Sequence, residues 1–447
     1  MDPTTAPDSF TTIDEIDAAV EDILAHSLPE VIIYSRFTSF ELPFYERSYE
    51  LRRLTVMKYL CRQSADVTRH QRAEEQHNRV AIQSEDITQR HFEGFKRAFQ
   101  EINYMSGNPF GNNQVQYFLD LGCAPGGSAT WVLQNNRNAR GVGVTLSPEA
   151  KGIRIQLGTK FLKRFRVQYG DVCEIATGRA TIGEIPDGGF ELVLANAAIM
   201  LADDIIPWAD TTRLVYAQLL VSLQHIAQGG SLVIGLRSLP LRWIVDIVRL
   251  LGQAFASIKA ENPSYQGRRP FAYIVCKGFS ATDEEKVRYI HRLGECIEYL
   301  GNITGPVDDP SGGTANIPRL CGTQDETIPE ETYQHIVDMF ANVWERQYNA
   351  IHSNYEKVLL EQQARERLNA QTSVGENIAG GPWQPVGRRP VAQPNEGGPC
   401  KWSRPTAPPD DIYRKRRMER NAAYNTFFSR RDSASGSADG PGTWRRS

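Results

Sequence analysis

The sequence lacks the cysteine patterns of disulfide-stapled and zinc-binding proteins. Its 447 residues include 7 cysteines, and no two of them form a C-x-x-C pair. Disulfide frameworks and structural zinc sites both depend on paired or closely spaced cysteines. We therefore expect neither a disulfide framework nor a metal site, and the scattered cysteines favour a reducing compartment.

Long apolar runs and targeting signals are missing as well. No apolar stretch is long enough to span a bilayer, so we expect no membrane association. The first ten residues, MDPTTAPDSF, are acidic and polar, unlike a secretory signal or a mitochondrial presequence. These features together predict a cytoplasmic or nuclear location.

The chain also has no excess of positive charge. It carries 50 Lys and Arg against 53 Asp and Glu, a formal net charge of -3, so any surface that attracts nucleic acid must be local. One basic segment runs from Lys151 to Arg166, where a solvated helix and a phosphate contact are both open. Another is the run from Arg414 to Arg417, which is equally consistent with a solvated tail, a nuclear signal or a contact to RNA.

The length exceeds what one hydrophobic core usually serves, and the pattern along the chain predicts four regions. Residues 1–91 are expected to form a helical N-terminal region, and residues 92–279 a domain of the catalytic type. Residues 280–370 are expected to be a helical extension that packs on the domain or on a partner protein of undetermined identity. Residues 371–447 are rich in Gly, Pro, Ser and Arg and are expected to be a disordered basic tail.

Within residues 92–279, short apolar runs alternate with helical periodicity. The expected strands cover 117–121, 141–146, 166–169, 190–195, 231–236 and 271–276. Helices are expected at 151–166, at 210–227 with a glycine stop, and at 241–254. This alternation predicts an α/β fold with a doubly wound, mostly parallel sheet, whose site residues lie along one edge.

The domain is organised around the stretch QYFLDLGCAPGGSATWVLQ, residues 116–134. A buried strand, a glycine-rich turn and a helix start fit this pattern best. Asp120 is expected at the carboxyl end of the strand, where open α/β sheets bind ligands. The P-loop lysine and hydroxyl are missing, so a nucleoside suits the turn better than a polyphosphate does. An ordinary tight turn between strand and helix remains open on spacing alone.

The segment LDLGCAPGGSAT closely resembles the S-adenosylmethionine-binding motif of the FtsJ-like RNA 2′-O-methyltransferases. The resemblance continues more weakly to about Phe279. It implies a Rossmann-like fold of the class I methyltransferase type, S-adenosyl-L-methionine as cofactor, and RNA as methyl acceptor. The cofactor-binding residues that it implies are Asp120, Gly122, Cys123, Ala124, Pro125, Gly126, Gly127, Ser128, Thr145, Asp171 and Asn196.

The resemblance also implies a catalytic set of two lysines, an aspartate and a glutamate, and here the sequence departs from the family. Lys96 takes the place of the first lysine, and Asn196 stands where the aspartate is expected. Gly235 and Phe271 replace the second lysine and the glutamate. Arg237 lies two residues beyond Gly235 and would face the same side of a strand. We therefore name Lys96, Asn196 and Arg237 as the catalytic candidates.

Three functions remain open at this point. The first is RNA ribose 2′-O-methylation by a rearranged site, in which Asp203, Asp204 and Tyr273 could also take part. The second is O-methylation of a small molecule whose phenol or carboxylate ionises readily. The third is a catalytically inactive domain that binds the cofactor or RNA. Fold alone does not choose among them.

Overall fold

The computed structural model describes residues 10–28, 30–34, 36–80, 85–150, 152–199, 207–303, 316–322 and 328–378. Of these, residues 10–377 lie in one compact unit. Residues 371–378, predicted as the start of the tail, lie in the helix Glu330–Ile378. The rest of the predicted tail, with its basic run, lies outside the described residues, as do Asp203 and Asp204. The division of the chain into four regions stays a prediction.

In the part of the chain that the structure describes, six helices precede the sheet and two follow it. The first six are α1 (Ile13–His26), α2 (Glu30–Tyr34), α3 (Leu42–Arg47), α4 (Tyr49–Gln63), α5 (Ala65–Val80) and α6 (Glu85–Met105). Thr12 caps α1 through a capping box, as its position before the apolar periodicity suggests. After the sheet come α12 (Asp283–Gly301), capped in the same way by Thr282, and α13 (Glu330–Ile378).

The central domain alternates strands and helices in chain order. These elements are β1 (Tyr117–Leu121), α7 (Gly127–Asn135), β2 (Arg140–Thr145), α8 (Thr159–Leu162), β3 (Phe165–Tyr169), α9 (Val172–Ala176), β4 (Phe190–Ala195), α10 (Trp208–His225), β5 (Ile226–Arg237), α11 (Arg242–Ala254), β6 (Phe255–Glu261) and β7 (Phe271–Phe279). The seven strands form one sheet in the order β3-β2-β1-β4-β5-β7-β6. Strands β3, β2, β1, β4 and β5 are parallel, and β7 is antiparallel to both β5 and β6. The predicted α/β fold with a mostly parallel, doubly wound sheet is confirmed.

The strand order reverses between β1 and β4, and the crevice at such a switch point is where open α/β sheets bind ligands. Helices cover both faces. One face carries Phe118, Val233 and Val275 in a cluster with α6 and α7, and the other carries Leu119, Ile234 and Ile274 in the larger core. The candidate site residues at the strand ends lie on the first of these two faces, the one that carries Phe118.

Three local predictions were wrong. Of the predicted helix 151–166, the described residues 152–166 are helical only over Thr159–Leu162, because the preceding residues pack against the glycine turn, where the Gln156 N–H donates to the Pro125 carbonyl at 2.8 Å. Helix α10 ends at His225, and its two predicted stop glycines lie inside β5, where the register with β4 shifts. Strand β6 was missed, since its alternation is short and partly polar, as suits an edge strand.

The helical extensions pack on the sheet domain and on each other. The Trp344 indole donates to the Ser238 carbonyl at 2.7 Å, just beyond β5. Arg47 forms two hydrogen bonds of 2.9 Å with Glu330, and the Arg53 guanidinium lies 3.9 Å above the Tyr348 ring. Of the two settings predicted for the C-terminal helix, packing on the domain is therefore observed.

Candidate functional site

The switch point brings Asp120 and Asn196 to the same edge of the sheet. Leu121 pairs with Ala195 in register, and the Asn196 N–H donates to the Leu121 carbonyl at 3.0 Å. The glycine turn leaves β1 here and ends at the start of α7. The sequence correctly predicts that Asp120 and Asn196 lie at the same edge, because parallel strands present their carboxyl ends there.

The glycines of the turn are required by close packing within the protein. A Cβ on Gly122 would lie less than 3.0 Å from the backbone of Ala197, and one on Gly126 would lie that close to the Leu157 side chain. A Cβ on Gly127 would meet the Phe92 carbonyl in α6. Gly122 and Gly126 also have φ of 84° and 109°, a region that side chains rarely adopt. The glycine spacing alone is therefore explained without a ligand.

Asp120 supplies the independent sign of a ligand. Its side chain is 3% exposed, and its Oδ2 is buried without a hydrogen-bond partner. Burial raises the pKa of Asp120 to about 7. A buried carboxylate oxygen without a donor is costly, so the site suits a ligand that brings a cationic donor. The ammonium group of S-adenosylmethionine is such a donor, and the residues present fit this cofactor.

The other predicted residues of the turn fall into two groups. Cys123 and Pro125 are buried in the protein, and burial raises the pKa of the Cys123 thiol well above its usual range. Ala124 and Ser128 are half-buried, so a ligand on the turn can reach them. Cys123 is best described as part of the core of the α6 and α7 face.

Thr145 and Asp171 lie at the ends of neighbouring strands. The Thr145 carbonyl accepts from the Gly170 N–H at 2.9 Å. Asp171 is exposed and caps α9, with its Oδ1 accepting from the Cys173 N–H at 2.8 Å. A carboxylate can accept further hydrogen bonds, so this cap is compatible with a second donor such as an adenine amino group. The structure thus places Thr145 and Asp171, two of the predicted cofactor-binding residues, at neighbouring strand ends.

The part of this edge formed by β4, β5 and β7 is more apolar than the part formed by β1, β2 and β3. Asn196 donates through Nδ2 to the Tyr273 hydroxyl at 3.2 Å. The Phe271 ring lies where a side chain on Gly235 would go, less than 3.0 Å from an ideal Cβ. Phe271 and Tyr273 pack edge to face, with ring centroids 5.1 Å apart. An aromatic pair therefore fills the volume that the family resemblance gives to a lysine and a glutamate.

The catalytic candidates Lys96 and Arg237 lie at two sides of this edge. Lys96 is half-buried on α6, and its backbone nitrogen is less than 3.0 Å from the Cβ position of Gly127. Arg237 is the exposed last residue of β5 and pairs in register with Phe271. Lys96 thus adjoins the start of α7, and Arg237 lies at the carboxyl end of β5; the catalytic role of both stays a prediction.

Sequence reasoning missed Gln218, which holds the chain after β4 in place. This glutamine of α10 is 1% exposed. Its Oε1 accepts from the Ala197 N–H at 2.7 Å, and its Nε2 donates to the Ala197 carbonyl at 3.1 Å. Because Ala197 follows Asn196, these bonds hold the backbone next to Asn196 in place. The signal was a glutamine within the buried, apolar run YAQLLV.

In the described parts of the chain, no group of three or more His, Cys, Asp or Glu is placed to hold a metal ion. None of the helices in those parts combines the length and apolarity needed to cross a membrane.

The family model that matches the chain is described as FtsJ-like methyltransferase, over residues 99–279. A curated relative from Caenorhabditis briggsae is named inactive cap-specific mRNA (nucleoside-2'-O-)-methyltransferase 1B. It is 27% identical over 201 residues, which are 42% of this chain and 24% of the relative. The match thus spans about a quarter of that protein.

Solved structures give weaker likenesses. The human methyltransferase-like protein 13 in complex with SAH has a TM-score of 0.28 at 12% identity, covering 49% of this chain and 94% of that one. An rRNA methylase from Streptococcus thermophilus has a TM-score of 0.26 at 10% identity, covering 38% and 90%. These scores carry no argument, and the fold assignment depends on the sheet itself. The FtsJ-like methyltransferase model thus matches the part of the chain that contains the switch-point crevice and the unpaired Asp120 oxygen.

Proposed function

We propose that this chain is an S-adenosylmethionine-dependent methyltransferase that acts on a ribose 2′-hydroxyl of RNA. The observation that carries the cofactor part is Asp120, whose buried Oδ2 has no partner at the carboxyl edge of β1. The family match and the name of the curated relative support the RNA part. An RNA-modifying role is compatible with the predicted cytoplasmic or nuclear location.

Asp120, the glycine turn, Thr145 and Asp171 would hold the cofactor. Asp120 accepts a hydrogen bond from a ligand ammonium group, and exposed backbone beside Ala124 and Ser128 borders the same ligand. Thr145 serves the ribose hydroxyls without charge, and Asp171 reads the adenine amino group. When bound, the cofactor supplies a methyl group on an electrophilic sulfonium.

The acceptor would lie between Lys96, Asn196 and Arg237. Methyl transfer is an in-line displacement, so positioning of the hydroxyl is the main task of the protein. Asn196 donates to the Tyr273 hydroxyl, and Gln218 holds the neighbouring Ala197, so Asn196 can orient a hydroxyl, although an amide does not ionise. Arg237 binds phosphate, because a guanidinium keeps its proton. Lys96 is then the remaining candidate for handling the hydroxyl proton.

A second candidate function is cofactor and RNA binding without catalysis. The observation that favours it is the Phe271 ring over Gly235, which leaves no titratable group where the resembling enzymes have a lysine. The curated relative is also named inactive. A small-molecule acceptor that ionises readily is the third candidate, since it needs little help from a base.

A labelled-methyl experiment separates the three candidates. The purified chain is incubated with methyl-labelled cofactor and either total RNA or a small-metabolite extract, alongside Asp120→Ala. Label in RNA that is lost in Asp120→Ala supports the proposal, and label only in metabolites overturns it. Cofactor binding without transfer to either pool establishes the inactive reading. Absence of cofactor binding overturns all three.

A restoring double substitution tests the cause of any low activity. Gly235→Lys combined with Phe271→Glu places the family's two missing groups on the neighbouring strands β5 and β7, where the Phe271 ring now reaches the Cβ position of Gly235. If the aromatic filling limits the chemistry, this variant transfers methyl groups to RNA faster than the natural chain. Gly235→Lys alone is the control, and it is expected to be less stable than the double variant and no faster than the natural chain, because the Phe271 ring occupies the space of its side chain.

A further inference from the structure

Exposed cations collect beside the crevice, although the whole chain is slightly acidic. Arg90 and Arg97 lie on α6, and Arg269 lies in the loop 262–270 that connects β6 to β7; all three are exposed. None of the ion pairs found among the described residues involves these three arginines. We call them, with the loop and α6, the arginine strip.

Tyr265 fixes the loop onto α6 and so brings the three arginines together. Its ring covers Gly94, where a Cβ would lie less than 3.0 Å from the ring. A hydrogen bond of 2.6 Å joins its hydroxyl to His91 Nδ1, and its ring packs edge to face on Phe95. Gly94 lies four residues after Arg90 and three before Arg97, so the two arginines flank Tyr265 on one helix face.

The three arginines are close enough to act on the titratable groups of Tyr265 and His91. Burial raises the pKa of Tyr265, and the positive charges of Arg269, Arg90 and Arg97 oppose this rise. Burial lowers the pKa of His91, and Arg269 and Arg90 lower it further. One tyrosine therefore lies in the field of three arginines from two separate elements.

Acidic neighbours do little to cancel this charge. Glu101 accepts from the Ser264 N–H at 2.7 Å and lies 3.9 Å from Arg346, so its charge is already compensated. Glu93 is half-buried and accepts a hydrogen bond of 3.4 Å from Gln89. The strip thus keeps a local excess of positive charge, which attracts a polyanion at short range.

We propose that the arginine strip binds the phosphodiester backbone of single-stranded RNA and leads the strand into the crevice. The inference rests on the proposed function for its choice of RNA. Its position supports that choice, because Lys96 lies on the same helix next to Arg97, and Arg237 pairs with Phe271 only two residues beyond Arg269. Arg90 and Arg97 are about 10 Å apart along the helix axis, so one extended strand reaches both.

The test measures binding of a fluorescein-labelled, mixed-sequence 20-nucleotide RNA to the full chain at several salt concentrations. The variant is Arg97→Gln with Arg269→Gln. The matched control is Arg137→Gln with Arg140→Gln, which removes two exposed charges at the opposite edge of the sheet, where β2 begins.

The strip variant is expected to bind RNA about tenfold more weakly at 0.1 M salt. Its slope of log affinity against log salt should fall by about 1.4, or about 0.7 for each lost phosphate contact. The control should match the natural chain. Equal loss in both variants overturns the strip as the binding surface, as does no loss in either.

Two further readouts keep this inference separate from the proposed function. Cofactor binding by the strip variant should be unchanged, since its two arginines are outside the cofactor site; RNA binding that persists while cofactor binding is absent throughout overturns only the proposed function. A poly-glutamate peptide of equal charge is added as competitor. If it displaces the RNA at equal concentration, the RNA assignment is overturned in favour of an acidic protein segment.

Discussion

The two halves of the strand-end crevice differ in what fills them. In the half formed by β1, β2 and β3, polar groups are in place for a nucleoside: Asp120 has a free oxygen, and Asp171 is exposed. In the half formed by β4, β5 and β7, Phe271 and Tyr273 pack over Gly235. The donor half follows the family pattern, whereas the acceptor half has replaced ionisable groups with aromatic packing.

The contrast shows that cofactor binding and acceptor chemistry can change separately within one sheet. A buried charge without a partner destabilises the fold, so a chain with no ligand for Asp120 gains stability by losing it. The chain has this aspartate, yet in the acceptor half it has Gly235 and Phe271 in place of the lysine and the glutamate of the resembling family. The following experiments test whether the two halves are as independent as they look.

The largest effect is expected for Asp120→Asn. Burial raises the pKa of Asp120 to about 7 from an ordinary 3.8, so the folded protein holds a proton that the unfolded chain releases. The natural chain therefore loses stability as pH rises from about 4 to about 7. At pH 8 the asparagine variant should be more stable by about 4 kcal/mol, and at pH 4 the two should be nearly equal.

Chemical denaturation at both pH values measures this difference. A gain that is the same at pH 4 and pH 8 would show that the buried charge is not its cause. Cofactor affinity gives the complementary readout, since the ammonium binds the ionised form: it should rise with pH up to about 7 in the natural chain and stay flat in Asp120→Asn.

Gly122→Ala should cost about 3 kcal/mol of stability, because Gly122 has φ of 84° and an added Cβ would meet the backbone of Ala197. Thermal unfolding measures the loss. Gly170→Ala is the control, since Gly170 lies at the end of β3 with nothing within 4 Å of a Cβ. Similar losses in both variants would contradict the close approach of β1 and β4 at the switch point.

The donor half was predictable from sequence because its geometry is local. Residues 117–127 specify a strand, a turn and a helix start within one short segment, and the structure confirms these elements. The purpose of each glycine was less predictable, since Gly126 contacts Leu157 and Gly127 contacts α6, both distant in sequence. The wrong helix at 151–166 has the same origin, because contact with the turn overrode local helical preference.

For the acceptor half, the sequence predicted only which ionisable groups are missing. The sequence shows that Gly235 and Phe271 carry no titratable group, but it does not show that the Phe271 ring fills the space beside Gly235. That relation depends on the antiparallel pairing of β5 with β7, a register set by strands far apart in the chain. The position of Gln218 behind Asn196 depends on tertiary packing in the same way.

Phe271→Ala should cost about 2 kcal/mol, because the half-buried ring packs on Gly235 and on Tyr273. The sharper measurement is a double-mutant cycle with Gly235→Val. Valine alone should be strongly destabilising, and much of that loss should be recovered when Phe271 is also alanine, with a coupling of about 1 kcal/mol or more. Additive effects would mean that the ring does not fill the space beside Gly235.

The smallest effect is expected for Tyr273→Phe, which removes the hydroxyl that accepts from Asn196 at 3.2 Å. The loss should be about 1 kcal/mol, the usual net value of one hydrogen bond. Tyr169→Phe is the control, since Tyr169 is 56% exposed at the end of β3 and its change should leave stability unaltered. Cofactor affinity, measured on the same variants, should be unchanged in both. A tenfold fall in cofactor affinity for Tyr273→Phe would show that the acceptor half takes part in holding the donor, and the independence of the two halves would no longer stand.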